Sequence, residues 1–201
     1  MKPLLTAAVA LAAAAGYGLS RRHRTVSTAA PELRNPQLYV PMSLRNDRGL
    51  AVGRKLMAAR PPGPIAAGVD VRHDVVPADG DRPDVPVVIY AAGDRDEALP
   101  TLLWMHGGGL VMGSPETSQE LCSRFAAELG VVVISVDYRL APEDPFPAAL
   151  DDCAATLSWT HDRAAELGVD AGRIAVGGDS AGGGLAACLA QRALDDGGPT
   201  I

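Results

Sequence analysis

Gly177-Gly178-Asp179-Ser180-Ala181-Gly182-Gly183 stands between two contrasting runs of the chain. Before it, Arg173-Ile174-Ala175-Val176-Gly177 reads as a strand. After it, Ala181 to Leu194 reads as a helix. Strand, tight turn and helix form the setting that a Gly-x-Ser-x-Gly nucleophile elbow requires, and Gly178-x-Ser180-x-Gly182 fits it. A serine carried on so sharp a turn has a strained backbone, and only residues with little or no side chain fit beside it. Ser180 is therefore the candidate nucleophile. Such a serine needs a histidine base, and in this arrangement the chain order is Ser, Asp or Glu, then His. No histidine follows Ser180, so the natural domain is expected to continue past Ile201.

A second glycine run, His106-Gly107-Gly108-Gly109, follows the strand-like Thr101 to Trp104. Consecutive glycines let backbone N–H groups turn inward and approach a ligand closely. Oxyanion stabilisation needs this, because its donors must already point where negative charge develops. Two glycine loops, each after a strand, match the esterase arrangement in which both loops supply donors.

Around these loops short apolar runs alternate with helical ones. Val69 to Val76 reads as an outer strand, with Asp79-Gly80 as a turn signal. Val85 to Ala91 is a second strand. Pro115 to Leu129 reads as a helix capped by Ser114 and stopped by Gly130. Val131 to Val136 is continuous and β-branched, as in a strand buried on both faces. Pro147 to Leu167 reads as one long helix carrying Leu150, Cys153, Leu157 and Ala164 on one line. Upstream, Leu44 to Ala59 reads as a helix with Leu50, Arg54 and Met57 on one side, closed by Pro61-Pro62-Gly63-Pro64. The alternation predicts an α/β domain with a mainly parallel sheet. The Ile174 strand is left at its edge.

The 201 residues carry a net charge of −6, with 47% hydrophobic and 21% charged residues, the composition of one globular domain. The acidic balance argues against nucleic acid as a partner. Cys122, Cys153 and Cys188 form no C-x-x-C pair, so no metal knuckle or redox motif is expected; they read as small buried hydrophobes. Unpaired thiols lean toward a reducing compartment. Residues 1–30 are excluded from the fold. Leu4 to Leu19 is apolar and short for a spanning helix, and Arg21-Arg22-His23-Arg24 follows it. That basic flank favours a membrane tether with the body facing the cytoplasm. A secretory signal peptide with Ala13-x-Ala15 as cleavage site, or a misassigned start in a cytoplasmic protein, are the alternatives.

Four stretches together make the chain resemble the hormone-sensitive-lipase-like family of α/β-hydrolases, the GDXG lipolytic enzymes. They are His106 to Gly109, Asp137-Tyr138-Arg139-Leu140-Ala141-Pro142-Glu143 with Pro145 to Ala148, Arg173 to Val176, and Gly178 to Gly182. The resemblance implies the N-terminal part of an α/β-hydrolase fold over residues 67–201. It also implies a partial helical cap over residues 31–66. It implies carboxylic ester hydrolysis through a serine acyl-enzyme, on a small-molecule ester, with no metal or cofactor. Ser180 would attack the carbonyl, and the N–H groups of Gly108, Gly109 and Ala181 would hold the oxyanion. Gly107 would shape the loop, His106 would order it by hydrogen bonding, and Asp179 would brace the elbow. Leu110 stands where the family often has an aromatic, and Asp144 where a histidine is common. The family's acidic triad residue and late histidine have no counterparts here. Its dimer-forming strands are also absent, so no tight dimer is expected. A non-catalytic, ligand-binding or decayed relative is the competing class.

The remaining charged residues read as structural. His161 is expected on a helix surface, His73 on an outer strand and His23 in the N-terminal tail. Asp151-Asp152 are expected to answer the field of a helix start.

Overall fold

A computed structural model describes residues 18–34, 36–39, 46–93 and 97–201. The chain divides into two compact units, Met1–Gly49 and Leu50–Ile201. In the first, residues 18–26 are helical, and 3-10 turns follow at Pro31–Leu33 and Pro36–Tyr39. The Arg22 guanidinium donates to Leu38 O at 2.6 Å. Most of the apolar run 4–19 lies outside the described residues. Among those described, no helix is long and apolar enough to cross a membrane.

The second unit is built on a five-stranded sheet of order β1-β2-β4-β3-β5. Its strands are β1 (Val69–Val76), β2 (Val85–Ala92), β3 (Leu99–Met105), β4 (Val132–Val136) and β5 (Val169–Gly178). Its helices are α1 (Asp47–Ala58), whose residues 50–58 open this unit, α2 (Gln119–Leu129), α3 (Ala148–Asp162), α4 (Ala164–Leu167) and α5 (Ala181–Asp195).

The sheet is mixed, not mainly parallel. β3 pairs in parallel with β4 and β5, whereas β1–β2 and β2–β4 are antiparallel. The reason is local: no helix separates β1, β2 and β3, and strands joined without a crossover are free to pair antiparallel. The β1–β2 turn is the one expected at Asp79-Gly80. Asp79 and Arg82 exchange backbone bonds at 3.1 and 3.0 Å, and Gly80 takes φ +57°.

Side-chain alternation sorts the strands into two cores. Val85, Val87, Ile89, Leu103, Met105, Val132, Ile134 and Val136 face α3 and α5, meeting Cys153, Leu157, Leu185 and Leu189. Val88, Tyr90, Trp104 and Val133 face α2, meeting Cys122 and Ala126. β4 lies between β2 and β3 and is buried along its whole length, as its unbroken apolar pattern predicts. β5 is an edge strand among the described residues.

Three expectations shift. Pro115–Ser118 is a 3-10 turn ahead of α2, and Ser114 makes no side-chain cap bond. Proline accounts for the tight start, and Ser114 serves instead as acceptor: its carbonyl receives Thr117 Oγ1 at 2.6 Å. The long helix after Pro147 breaks at Arg163, and Gly168 (φ +68°) ends its second piece in the left-handed conformation. Cys122 and Cys153 are buried, but Cys188 is exposed. Leu185 and Leu189 take the inner face of α5, leaving Cys188 turned outward.

Candidate active site

β3 and β5 are parallel neighbours, with Met105 opposite Gly178 at their carboxyl ends. The loops that leave these two strands are therefore adjacent, although about seventy residues separate them in sequence. Ligand sites of open α/β sheets form at such strand ends. The contact is close. Asp179 N–H donates to Met105 O at 3.1 Å. A Cβ placed on Gly182 would overlap the Met105 carbonyl oxygen, and one on Gly178 would lie 2.6 Å from it. Only glycine lets α5 start this near β3. Asp179 lies against the other loop: a Cβ on Gly107 would be 2.9 Å from Asp179 Oδ2.

Ser180 is exposed at the turn with φ +52° and ψ −116°. A left-handed non-glycine residue of this kind costs about 1–3 kcal/mol and marks a site where strain is retained for use. Among the described residues the other of this kind, Leu110 (φ +62°), lies in the facing loop.

Three peptide units have their carbonyls tied down, and a trans peptide then points its N–H the opposite way. Gly107 O accepts His106 Nδ1–H at 2.9 Å, which turns the Gly108 N–H away from the imidazole. Gly108 O accepts the N–H groups of Val111 (3.3 Å) and Met112 (3.2 Å), which turns out the Gly109 N–H. Ser180 O accepts Gly183 N–H (3.0 Å) and Gly184 N–H (3.3 Å). This orients the Ala181 N–H, the first of α5, which has no intrahelical acceptor. Among the described residues, neither Gly108 nor Gly109 N–H has a backbone acceptor.

His106 is fully buried, its ring stacked on Tyr138 at 4.2 Å and 9°. Burial holds the imidazole below its ordinary pKa, against the opposing pull of the Gly107 carbonyl. A carbonyl only accepts, so Nδ1 carries the proton of a neutral ring. Tyr138 O–H donates to His106 O at 2.6 Å. Sequence reading did not single out Tyr138; within its motif nothing marks which residue reaches the glycine loop.

Two ion pairs fasten the 138–147 segment. Arg139 meets both oxygens of fully buried Asp152, at 2.8 Å (Nη2–Oδ1) and 3.0 Å (Nε–Oδ2), and the Arg139 N–H adds a bond at 2.9 Å. Asp152 thus answers an arginine and not the helix start, while Asp151 pairs with Arg192 at 2.6 Å. Arg54 of α1 reaches Glu143 at 2.7 Å. An arginine on the Leu50–Met57 face was the available signal for that clamp.

None of the histidines of the second unit meets Ser180. His106 is committed to Gly107, His73 is on β1 at the far edge of the sheet, and His161 precedes β5 at the end opposite the elbow. His23 belongs to the other unit. Among the described residues the Ser180 hydroxyl has no hydrogen-bond partner.

Comparison with known proteins agrees with this architecture. A family model described as alpha/beta hydrolase fold matches residues 102–201. Esterase LipI of Mycobacterium tuberculosis is 42% identical over 165 residues, which is 81% of this chain and 51% of that protein. Carboxylesterase NlhH of the same species is 40% identical over 162 residues, 80% of this chain and 50% of the relative. The solved structure of a bacterial heroin esterase superposes with a TM-score of 0.78 at 38% identity, covering 88% of this chain and 56% of that one. The chain thus spans about half the length of the curated relatives it matches. With the elbow after β5, the glycine loop after β3 and these likenesses together, the chain belongs to the hormone-sensitive-lipase-like family of α/β-hydrolases.

Proposed function

We propose that the protein hydrolyses small-molecule carboxylic esters through Ser180. The observation that carries this is the left-handed Ser180 on its elbow, beside a loop whose Gly108 and Gly109 N–H groups are turned out and, among the described residues, have no backbone acceptor. Ser180 Oγ attacks the ester carbonyl carbon. The carbonyl oxygen becomes an oxyanion, which the N–H groups of Gly108, Gly109 and Ala181 receive. Collapse expels the alcohol and leaves an acyl-serine, which water then hydrolyses. The serine proton must pass to a base and then to the leaving alcohol. The described residues bring no imidazole to that position, so only the nucleophile and the oxyanion donors are assigned here. Asp179 braces the elbow against Gly107, and His106 holds the Gly107 carbonyl.

A cleft of about 730 Å³ lies between the 54–63, 112–117 and 140–144 segments, with Met57, Met112, Leu140 and Ser114 among its lining. The family resemblance points to short- to medium-chain esters. Hydrolysis of p-nitrophenyl butyrate by the protein and by Ser180→Ala tests the proposal. With a base at the serine, loss of the nucleophile is expected to lower turnover about a millionfold; without one the two proteins differ far less, because such residues act as a unit. Robust turnover by Ser180→Ala would overturn the proposal.

A further inference from the structure

We propose that Arg54 is a positioning residue for the oxyanion donors, acting through the carbonyl of Val111. The proposal rests on the ester-hydrolase function above and names a part of that site which neither glycine motif contains. Arg54 lies on α1, far in sequence from both loops, and spends its donors on three targets. Nε donates to Val111 O at 2.7 Å, Nη2 to Ala141 O at 2.9 Å, and Nη1 and Nη2 to the two oxygens of Glu143 at 2.8 and 2.7 Å.

Two of those targets are backbone carbonyls, and they belong to segments that also bond each other. Ala141 N–H donates to Leu110 O at 2.9 Å. One guanidinium thus closes a ring that contains the 108–112 turn and the 138–147 segment. The planar fork of arginine suits this use, because its donors lie in fixed directions.

The consequence for the site follows bond by bond. Val111 and Met112 N–H groups hold the Gly108 carbonyl. The Gly108 carbonyl sets the direction of the Gly109 N–H, because one peptide plane contains both. Leu110, at φ +62°, is strained within that turn, so the turn needs restraint from outside to keep its shape. Arg54 supplies that restraint at Val111 O, and Ala141 N–H supplies it at Leu110 O. The Glu143 carboxylate is 59% exposed, so its ion pair with Arg54 is weak by itself. The two carbonyl bonds carry the restraint, and the carboxylate accepts from the Nη groups beside them.

The test uses amide hydrogen exchange read by mass spectrometry on the whole chain, which needs no catalysis. Arg54→Met is expected to speed exchange in residues 107–113 tenfold or more, with β3 and β4 unchanged. Arg54→Lys keeps the charge but not the fork, and is expected to leave the loop loose. Glu143→Gln keeps both carbonyl bonds and is expected to stay within threefold of the unaltered protein. Unchanged exchange at 107–113 in Arg54→Met would overturn the proposal, as would an increase spread evenly over the strands. Full protection in Arg54→Lys would also overturn it, since charge alone would then suffice. A kinetic arm adds a readout that mere stability does not move: kcat for p-nitrophenyl butyrate is expected to fall about tenfold with KM within twofold. A risen KM at constant kcat would make Arg54 a substrate contact and refute positioning. If Ser180→Ala turns the ester over robustly, the hydrolase function fails, and exchange alone still decides the role of Arg54.

Discussion

Gly182 and Gly184 lie two residues apart on the first turns of α5, and alanine is expected to act on them with opposite sign. A Cβ on Gly182 would overlap Met105 O, lie 2.5 Å from His106 O and 2.7 Å from Met105 C. All three are backbone atoms at the end of a strand paired on both sides, so none can swing aside. The start of α5 must recede by about 1 Å, a forced overpacking that costs about 1–3 kcal/mol or more. A Cβ on Gly184 meets nothing within 4 Å. There alanine brings only its better helix propensity, a gain of about 0.5–1 kcal/mol. The two variants should therefore differ by about 2–4 kcal/mol. Urea unfolding followed by the fluorescence of buried Trp104 and Trp159 measures this directly. In a thermal melt it corresponds to a gap of roughly 5–15 °C for a domain of this size. Stabilities within 0.5 kcal/mol of each other, or a weaker Gly184→Ala, would refute the close-approach account of the elbow.

Ser180 reverses the usual order of alanine over glycine: at φ +52° Ser180→Gly should be about 1 kcal/mol more stable than Ser180→Ala, and equal melting points would remove the claim of strain. Asp152→Ala should destabilise the fold by about 3 kcal/mol in urea titration, because it strands the Arg139 guanidinium and N–H; a loss under 1 kcal/mol would count against the buried pair. Asp137 gives a pH signature. Burial, with the nearby Glu116 charge, raises its carboxyl from the ordinary 3.8 to about 6. The folded state therefore holds this proton more tightly than the unfolded chain does. The stability it provides is full below about pH 4 and is lost as pH rises through about 6. Asp137→Asn should match the unaltered protein near pH 4 and exceed it by about 1–2 kcal/mol at pH 7.5, partial exposure reducing the full effect. A gain of the same size at both pH values would contradict this.

The elbow, the glycine loop and every strand could be read from the sequence, because each depends on local chemistry. Gly178 and Gly182 are demanded by one turn, β4 by an unbroken β-branched run, and the ends of α2 and α4 by Gly130 and Gly168. Strand direction was less legible: β2 runs antiparallel to β4, and nothing in an apolar run records polarity. The break at Arg163 was hidden because Leu157 and Ala164 keep helical spacing across it. What escaped altogether was long-range polar pairing. Arg54 with Val111 and Glu143, Arg139 with Asp152, and Tyr138 with His106 each join residues whose sequence neighbourhoods do not name the partner. Asp152 illustrates the difficulty: an acidic residue near a helix start satisfies a local rule, and only the tertiary fold places an arginine over it.

Treatment of the protein with diethyl p-nitrophenyl phosphate, followed by tryptic mass spectrometry, addresses the nucleophile itself. Cleavage after Arg173 and Arg192 releases the peptide 174–192, in which Ser180 is the sole hydroxyl side chain. One diethylphosphoryl group on that peptide, absent from Ser180→Ala, is the result expected if Ser180 attacks esters. An unmodified 174–192 peptide, or labelling that persists in Ser180→Ala, would contradict it.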